Sequence, residues 1–240
     1  MRAVSFHPMS GHDDRLILAI DTALDDCSVA VFDAREYRLL ASRTERIGRG
    51  HAERLPAVID AVLAEAGCGF PDIASIAVTI GPGSFTGVRV GVAAARGYAL
   101  ALGIPAAGVT TLEAMAEAVR CEAPVLAVHD AKRGEVYALL MQTHGGILKS
   151  PAAIEPGHLV DFVGPGTGHL RLTGSAAGIA VGILGADRAA VVNPTSEIDI
   201  ETVARLVAEG RSLQPVKPLY LRSADAKAPS RPFSLFAETA

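Results

Sequence analysis

The string Gly81–Pro82–Gly83–Ser84–Phe85–Thr86–Gly87–Val88–Arg89–Val90–Gly91 comes nearest, in this chain, to a chemical device. A glycine loop running into a helix start aims backbone N–H groups and a positive dipole end outward, which suits an anion. No Walker lysine follows it and no GxGxxG occurs, so as a phosphate cradle it is weak. Asp21–Thr22, at the end of the apolar run Leu16–Ile20, suits the opening of an Asx-type turn. Asp130–Ala131–Lys132–Arg133–Gly134–Glu135–Val136–Tyr137 reads as a charged hairpin turn, and Leu172–Thr173–Gly174–Ser175–Ala176–Ala177 as a strand-to-helix glycine turn. His51, His129, His144, His158 and His169 are scattered, without the pair on one helix face that a mononuclear metal site needs. Nothing orders a Ser–His–Asp triad. The expectation is no catalytic, metal-binding or cofactor-binding residue.

The elements that must carry these residues follow from periodicity. Leu16–Ile20 and Cys27–Phe32 are short apolar runs of the buried-strand kind, and Tyr37 to Thr44 makes a third strand of a meander. Leu55, Val58, Ile59, Val62, Leu63 and Ala66 recur at helical spacing up to Gly67. Ile73–Ile80 returns as a strand, Ser84 is a plausible N-cap, and a helix runs to about Leu102. Ile104–Thr110 and Thr111–Arg120 add a strand and a helix. The order is β-β-β-α-β-α-β-α. A partial echo then begins: Leu18–Ala19–Ile20–Asp21–Thr22 is matched by Leu126–Ala127–Val128–His129–Asp130–Ala131, and each is followed by a turn and a strand. Residues 145–169 hold six Gly and three Pro, so the second half is expected to be the less complete. These signals divide the chain into a disordered extension (1–14), a first lobe (15–120), a smaller second lobe (121–222) and a tail (223–240).

The helix behind the glycine string is costly. Gly87, Gly91 and Gly97 lie inside it, each about 1 kcal/mol poorer than Ala. Gly87, Gly91 and Ala95 fall at i, i+4 and i+8, which leaves one face nearly bare. Such a face admits close packing, either by the chain's own sheet or by a helix of another chain, and the 52–66 helix is its natural companion. Half of the 240 residues are hydrophobic and 20% are charged, an ordinary balance for a globular chain. The net charge is −4, from 22 basic and 26 acidic side chains, and the clusters Arg43–Arg46–Arg49 and Lys132–Arg133 are too small for autonomous nucleic-acid binding. Cys27, Cys68 and Cys121 form no CxxC pair, and no apolar run reaches the roughly 20 residues of a membrane span, so a cytoplasmic protein is expected.

Taken together and in this order, several strings resemble the TsaB family: Leu18–Thr22, His51–Pro56, Gly81–Gly91, Pro105–Leu112, Asp130–Tyr137 and Pro218–Leu219–Tyr220–Leu221–Arg222. The resemblance implies an α/β, actin-like and Hsp70-like two-lobe fold with a reduced second lobe. In that superfamily an Asp at the place of Asp21 sits where metal and phosphates gather. The catalytic paralogue of the family, TsaD, carries a metal-binding histidine pair after its glycine motif; here that stretch, Ala106 to Leu112, has no His. The resemblance therefore implies a non-catalytic scaffold in the formation of threonylcarbamoyladenosine in tRNA. It would pair with TsaD, work with the ATPase TsaE, homodimerise in isolation and meet tRNA only through the complex. ATP is expected, if anywhere, at the partner interface. The interface candidates are Leu55, Ile59, Val62, Phe85, Gly87, Val88, Gly91, Ala95 and Tyr98. The rival is an ATP- or metal-dependent enzyme of the same superfamily, a transferase or metalloprotease.

Overall fold

The computed structural model describes residues 16–142, 145–211 and 213–222. The expected extension 1–14 and tail 223–240, and His144, lie outside the described residues. Leu16–Asp21 (β1), Asp26–Asp33 (β2) and Arg38–Arg46 (β3) form the meander, with β1 and β2 buried along their whole length. Ile73–Thr79 (β4) and Ala106–Val109 (β5) then add in parallel beyond β1, giving the order β3-β2-β1-β4-β5. A strand flanked on both sides and covered on both faces must be apolar throughout, which is why β1 and β4 show no alternation.

Two helices, His51–Ala66 (α1) and Phe85–Leu102 (α2), cover one face. The first lies on β2 and β3 and the second on β1, β4 and β5. Each ends on a left-handed glycine, Gly67 and Gly103. Thr111–Glu117 (α3) starts on a buried capping box, in which Thr110 and Glu113 satisfy each other's backbone N–H groups.

The echo in the sequence is a duplication of the whole sheet. Val125–Lys132 (β6), Glu135–Gln142 (β7) and Gly146–Ile154 (β8) make a second antiparallel meander. Leu170–Thr173 (β9) and Ala189–Asn193 (β10) add in parallel beyond β6. The order β8-β7-β6-β9-β10 repeats that of the first sheet, and this doubled arrangement is the actin-like fold. The reduction lies in the helices. Leu159–Val163 (α4) has 5 residues and Ala177–Leu184 (α5) has 8, against 16 and 18 for α1 and α2.

The lobe boundary at 222 is corrected. Ile200–Ala208 (α6) returns to the first lobe, where Ile200, Val203, Ala204, Leu206 and Val207 enter the core beneath β1, β2 and β4. The amphipathic stripe of this helix has nowhere else to be buried, because the second core closes without it. After α6 the chain forms a strap along the outer edge of β5. The Gly108 and Gln214 backbones exchange hydrogen bonds, Leu219 N–H donates to Ile80 O, and Arg222 pairs with Glu135 of β7. The strap thus ties the first lobe to the β6–β7 hairpin.

Candidate functional site

The glycine string is built for packing against its own chain. A Cβ on Gly83 would lie 2.2 Å from Ala23 O, and one on Gly87 2.1 Å from Thr22 O. At Gly91 it would meet Thr22 Oγ1 at 2.6 Å. Thr22 Oγ1–H also donates to Gly87 O (2.8 Å), and Ser84 N–H donates to Ala23 O (2.7 Å). Ser84 caps α2 as expected, its Oγ accepting from Gly87 N–H. The bare helical face is therefore seated on the turn between β1 and β2, the first of the two packings that the sequence leaves open. Gly87, Val88, Gly91 and Ala95 of α2, and Leu55, Ile59 and Val62 of α1, all lie in the buried layer between helices and sheet. Of the nine interface candidates, Phe85 (57% exposed) is open and Tyr98 is half-buried, its ring stacked on Phe70.

What the two helices do present outward is a different set. Ala57 and Ala64 of α1 and Ala93 and Gly97 of α2 are exposed, with Ala61 and Ala94 half-buried beside them. Leu100 of α2 is 86% exposed, Asp60 and Arg96 are exposed on the same two helices, and outside the helix's own backbone no atom lies within 4 Å of where a Gly97 Cβ would be. Small exposed residues leave room for another helix to approach, and an exposed leucine offers it apolar area.

Asp21 is sealed in the core. Its Oδ1 accepts from Ala23 N–H (3.1 Å), which is the Asx turn, and from Thr79 Oγ1–H. Among the described residues its Oδ2 has no partner, and burial pushes the carboxyl up to about 6 against the pull of those two hydrogen bonds. The matching strand end of the second lobe is half-buried rather than sealed. Asp130 is paired with Lys132 Nζ (2.9 Å) and accepts from Lys132 N–H (2.8 Å), which hold its carboxyl below the usual range. His129, pulled down by burial, has Nδ1 3.0 Å from Ser175 Oγ, and Ser175 Oγ accepts from Asp130 N–H. These groups line a cleft of about 340 Å³ between the lobes, opposite Leu24, Asp25, Gly83 and Ser84.

The remaining histidines stay apart. His51 is buried with Nε2 3.2 Å from Asp26 O, and His158 and His169 are exposed. Among the described residues no group of three His, Cys, Asp or Glu could hold a metal ion, and no helix is long and apolar enough to cross a membrane.

Sequence reasoning missed one constellation. At the start of α2 the Arg89 guanidinium lies 3.5 Å from the centre of the Phe85 ring, and Arg89 Nε–H donates to Tyr220 Oη (2.8 Å). The Phe85 and Tyr220 rings are 5.6 Å apart, and Tyr220 is 49% exposed. The string Pro218–Arg222 is one of those that carry the family resemblance, but nothing local could tie it to α2.

The family model described as TsaD: tRNA N6-adenosine threonylcarbamoyltransferase matches residues 41–193. An uncharacterized protein of Mycobacterium leprae is 36% identical over 155 residues, 62% of this chain and 43% of that protein's length. The tRNA threonylcarbamoyladenosine biosynthesis protein TsaB of Escherichia coli is 32% identical over 222 residues, 86% of this chain and 94% of the other. Among solved structures, YeaZ from Pseudomonas aeruginosa superposes with a TM-score of 0.72 at 28% identity, covering 86% of this chain and all of the other.

Proposed function

The chain belongs to the TsaB family, and from that premise we propose that it is the non-catalytic subunit of a tRNA threonylcarbamoyltransferase, docking onto a TsaD-like catalytic paralogue. Relatives named for threonylcarbamoyladenosine biosynthesis support a role in that modification. The observation that carries the subunit reading is the outward face of α1 and α2. Ala57, Ala64, Ala93 and Gly97 leave room for a helix to approach, and Leu100 offers it an apolar anchor. An anchor of that size in a pocket, ringed by close contacts, is how a few residues come to dominate an interface.

The chain's own residues also favour a supporting role. The stretch Ala106–Leu112 supplies no histidine, and Ala107, Val109 and Leu112 fill it with core side chains. Asp21, the carboxylate an enzyme of this fold would use, is closed off by Thr79 and the turn. The same face would hold a second copy when the paralogue is absent. A TsaE-like ATPase completes the assembly, any ATP sits at the partner interface, and tRNA places the work in the cytoplasm.

Co-expression with the catalytic paralogue of the same genome tests this. A stable one-to-one complex is expected from the wild-type chain, and its loss from Leu100→Glu, with the thermal midpoint of the variant unchanged. A chain that never co-purifies, or a Leu100→Glu variant that binds as well as wild type, overturns the reading.

A further inference from the structure

Arg89 is the cation whose surroundings call for explanation. Its guanidinium is ordered by the Tyr220 hydroxyl and by the Phe85 ring, yet no carboxylate pairs with it among the described residues. Both rings beside it are exposed. The strap that carries Tyr220 runs along the outer edge of β5, so these residues lie on the flank of α2 away from α1. Two residues further on, Arg222 Nη2 donates to Lys132 O, which brings the Lys132–Arg133 turn alongside. The carboxylates near that turn are engaged, Glu135 by Arg222 and Asp130 by Lys132.

Exposed aromatic faces around a fixed guanidinium, next to a basic turn, match an unpaired base followed by its phosphate. Bases in RNA loops are splayed out and stacked on aromatic rings or guanidinium planes in this way. We propose that Phe85, Arg89 and Tyr220 form a stacking platform for an unpaired base of the tRNA. The inference rests on the tRNA-modification reading above. With a net charge of −4 the platform is one subsite of a larger RNA path that the assembled complex supplies.

The test uses a fluorescently labelled, unmodified tRNA transcript at about 0.05 M salt, where phosphate contacts are strong. It is titrated with the full chain alone and with its complex with the catalytic paralogue. Phe85→Ala and Tyr220→Ala should each weaken tRNA binding at least about fivefold, the loss expected of one stacked base. Arg89→Lys should lose nearly as much as Arg89→Ala, because an ammonium keeps the charge but cannot stack. Tyr220→Phe, which keeps the ring but removes the hydroxyl that accepts from Arg89 Nε–H, should lose less than Tyr220→Ala, and thermal unfolding of each variant guards against a merely unfolded Tyr220→Ala. Unchanged affinity in the ring variants, or Arg89→Lys behaving as wild type, overturns the platform. So does an absence of tRNA binding in both arms. Variants that lose the protein partner while keeping tRNA would show the rings to be a protein contact instead. Failure of the wild-type chain to support threonylcarbamoyladenosine formation would sink the underlying reading separately.

Discussion

Gly87 and Gly97 lie in one helix and should respond in opposite directions to the same added methyl. On Gly87 it would stand 2.1 Å from the Thr22 carbonyl oxygen, a backbone atom at the end of β1 that cannot swing aside. Relief requires α2 to lift, which also stretches the bond from Thr22 Oγ1 to Gly87 O. Overpacking of this kind costs about 1–3 kcal/mol, and the weakened buried hydrogen bond about 1 more. Helix propensity returns about 1 kcal/mol on replacing Gly by Ala. The net expectation for Gly87→Ala is a loss of about 1–3 kcal/mol. At roughly 2–4 °C per kcal/mol for a chain of this size, its melting temperature should fall by about 2–12 °C. Gly97 has no neighbour within 4 Å of the new methyl, so Gly97→Ala should keep the propensity gain and melt about 2–4 °C higher. Thermal unfolding of the two variants followed by circular dichroism decides it. A Gly87→Ala protein at least as stable as wild type would refute the seating of α2 on the β1–β2 turn. A destabilised Gly97→Ala would refute the open outward face.

The buried carboxyl of Asp21 sets a pH dependence. Its folded value of about 6 lies above the ordinary 3.8, so between these two the folded state holds the extra proton and stability falls as pH rises, by about 3 kcal/mol at most. Asp21→Asn should remove that slope, raising the denaturant midpoint at pH 8 and leaving it little changed at pH 4; equal effects at both would contradict the assignment. Thr110→Ala, which breaks the buried capping box of α3, should cost about 1–2 kcal/mol in urea unfolding. Arg211 pairs with both Glu117 and Glu209 and so joins α3 to the end of α6; Arg211→Met should lower stability by about 1–3 kcal/mol in the same assay.

Much of this architecture was legible because its strands are buried whole. Leu16–Ile20, Cys27–Phe32 and Ile73–Ile80 announce themselves as apolar runs, and Gly67 and Gly103 mark where α1 and α2 stop. By contrast β8 is an edge strand with Gly146 to Ser150 all exposed, so it carries no alternation, and it fell in a stretch read as irregular. The second sheet is thus more complete than its sequence suggested. Helical spacing leaves the orientation of Gly87 and Gly91 open, although a signal exists. Val88 and Ala95 fall in phase with Gly91, and a face shared with a buried valine turns inward. Helical spacing alone says that a face is bare, and only its phase against the apolar positions says which way it looks. The return of α6 to the first lobe and the meeting of Tyr220 with Arg89 depend on contacts far apart in sequence, which no local pattern encodes.

The central claim is that the outward face of α1 and α2 delivers this chain to a catalytic partner that modifies tRNA. The most direct measurement is threonylcarbamoyladenosine in total tRNA from cells whose own TsaB-family protein has been replaced by this chain or by its Gly97→Leu, Leu100→Glu double variant. Modified tRNA with the wild-type chain, and its loss with a double variant that is still folded and abundant, is the expected result. Full modification with the double variant would contradict the claim.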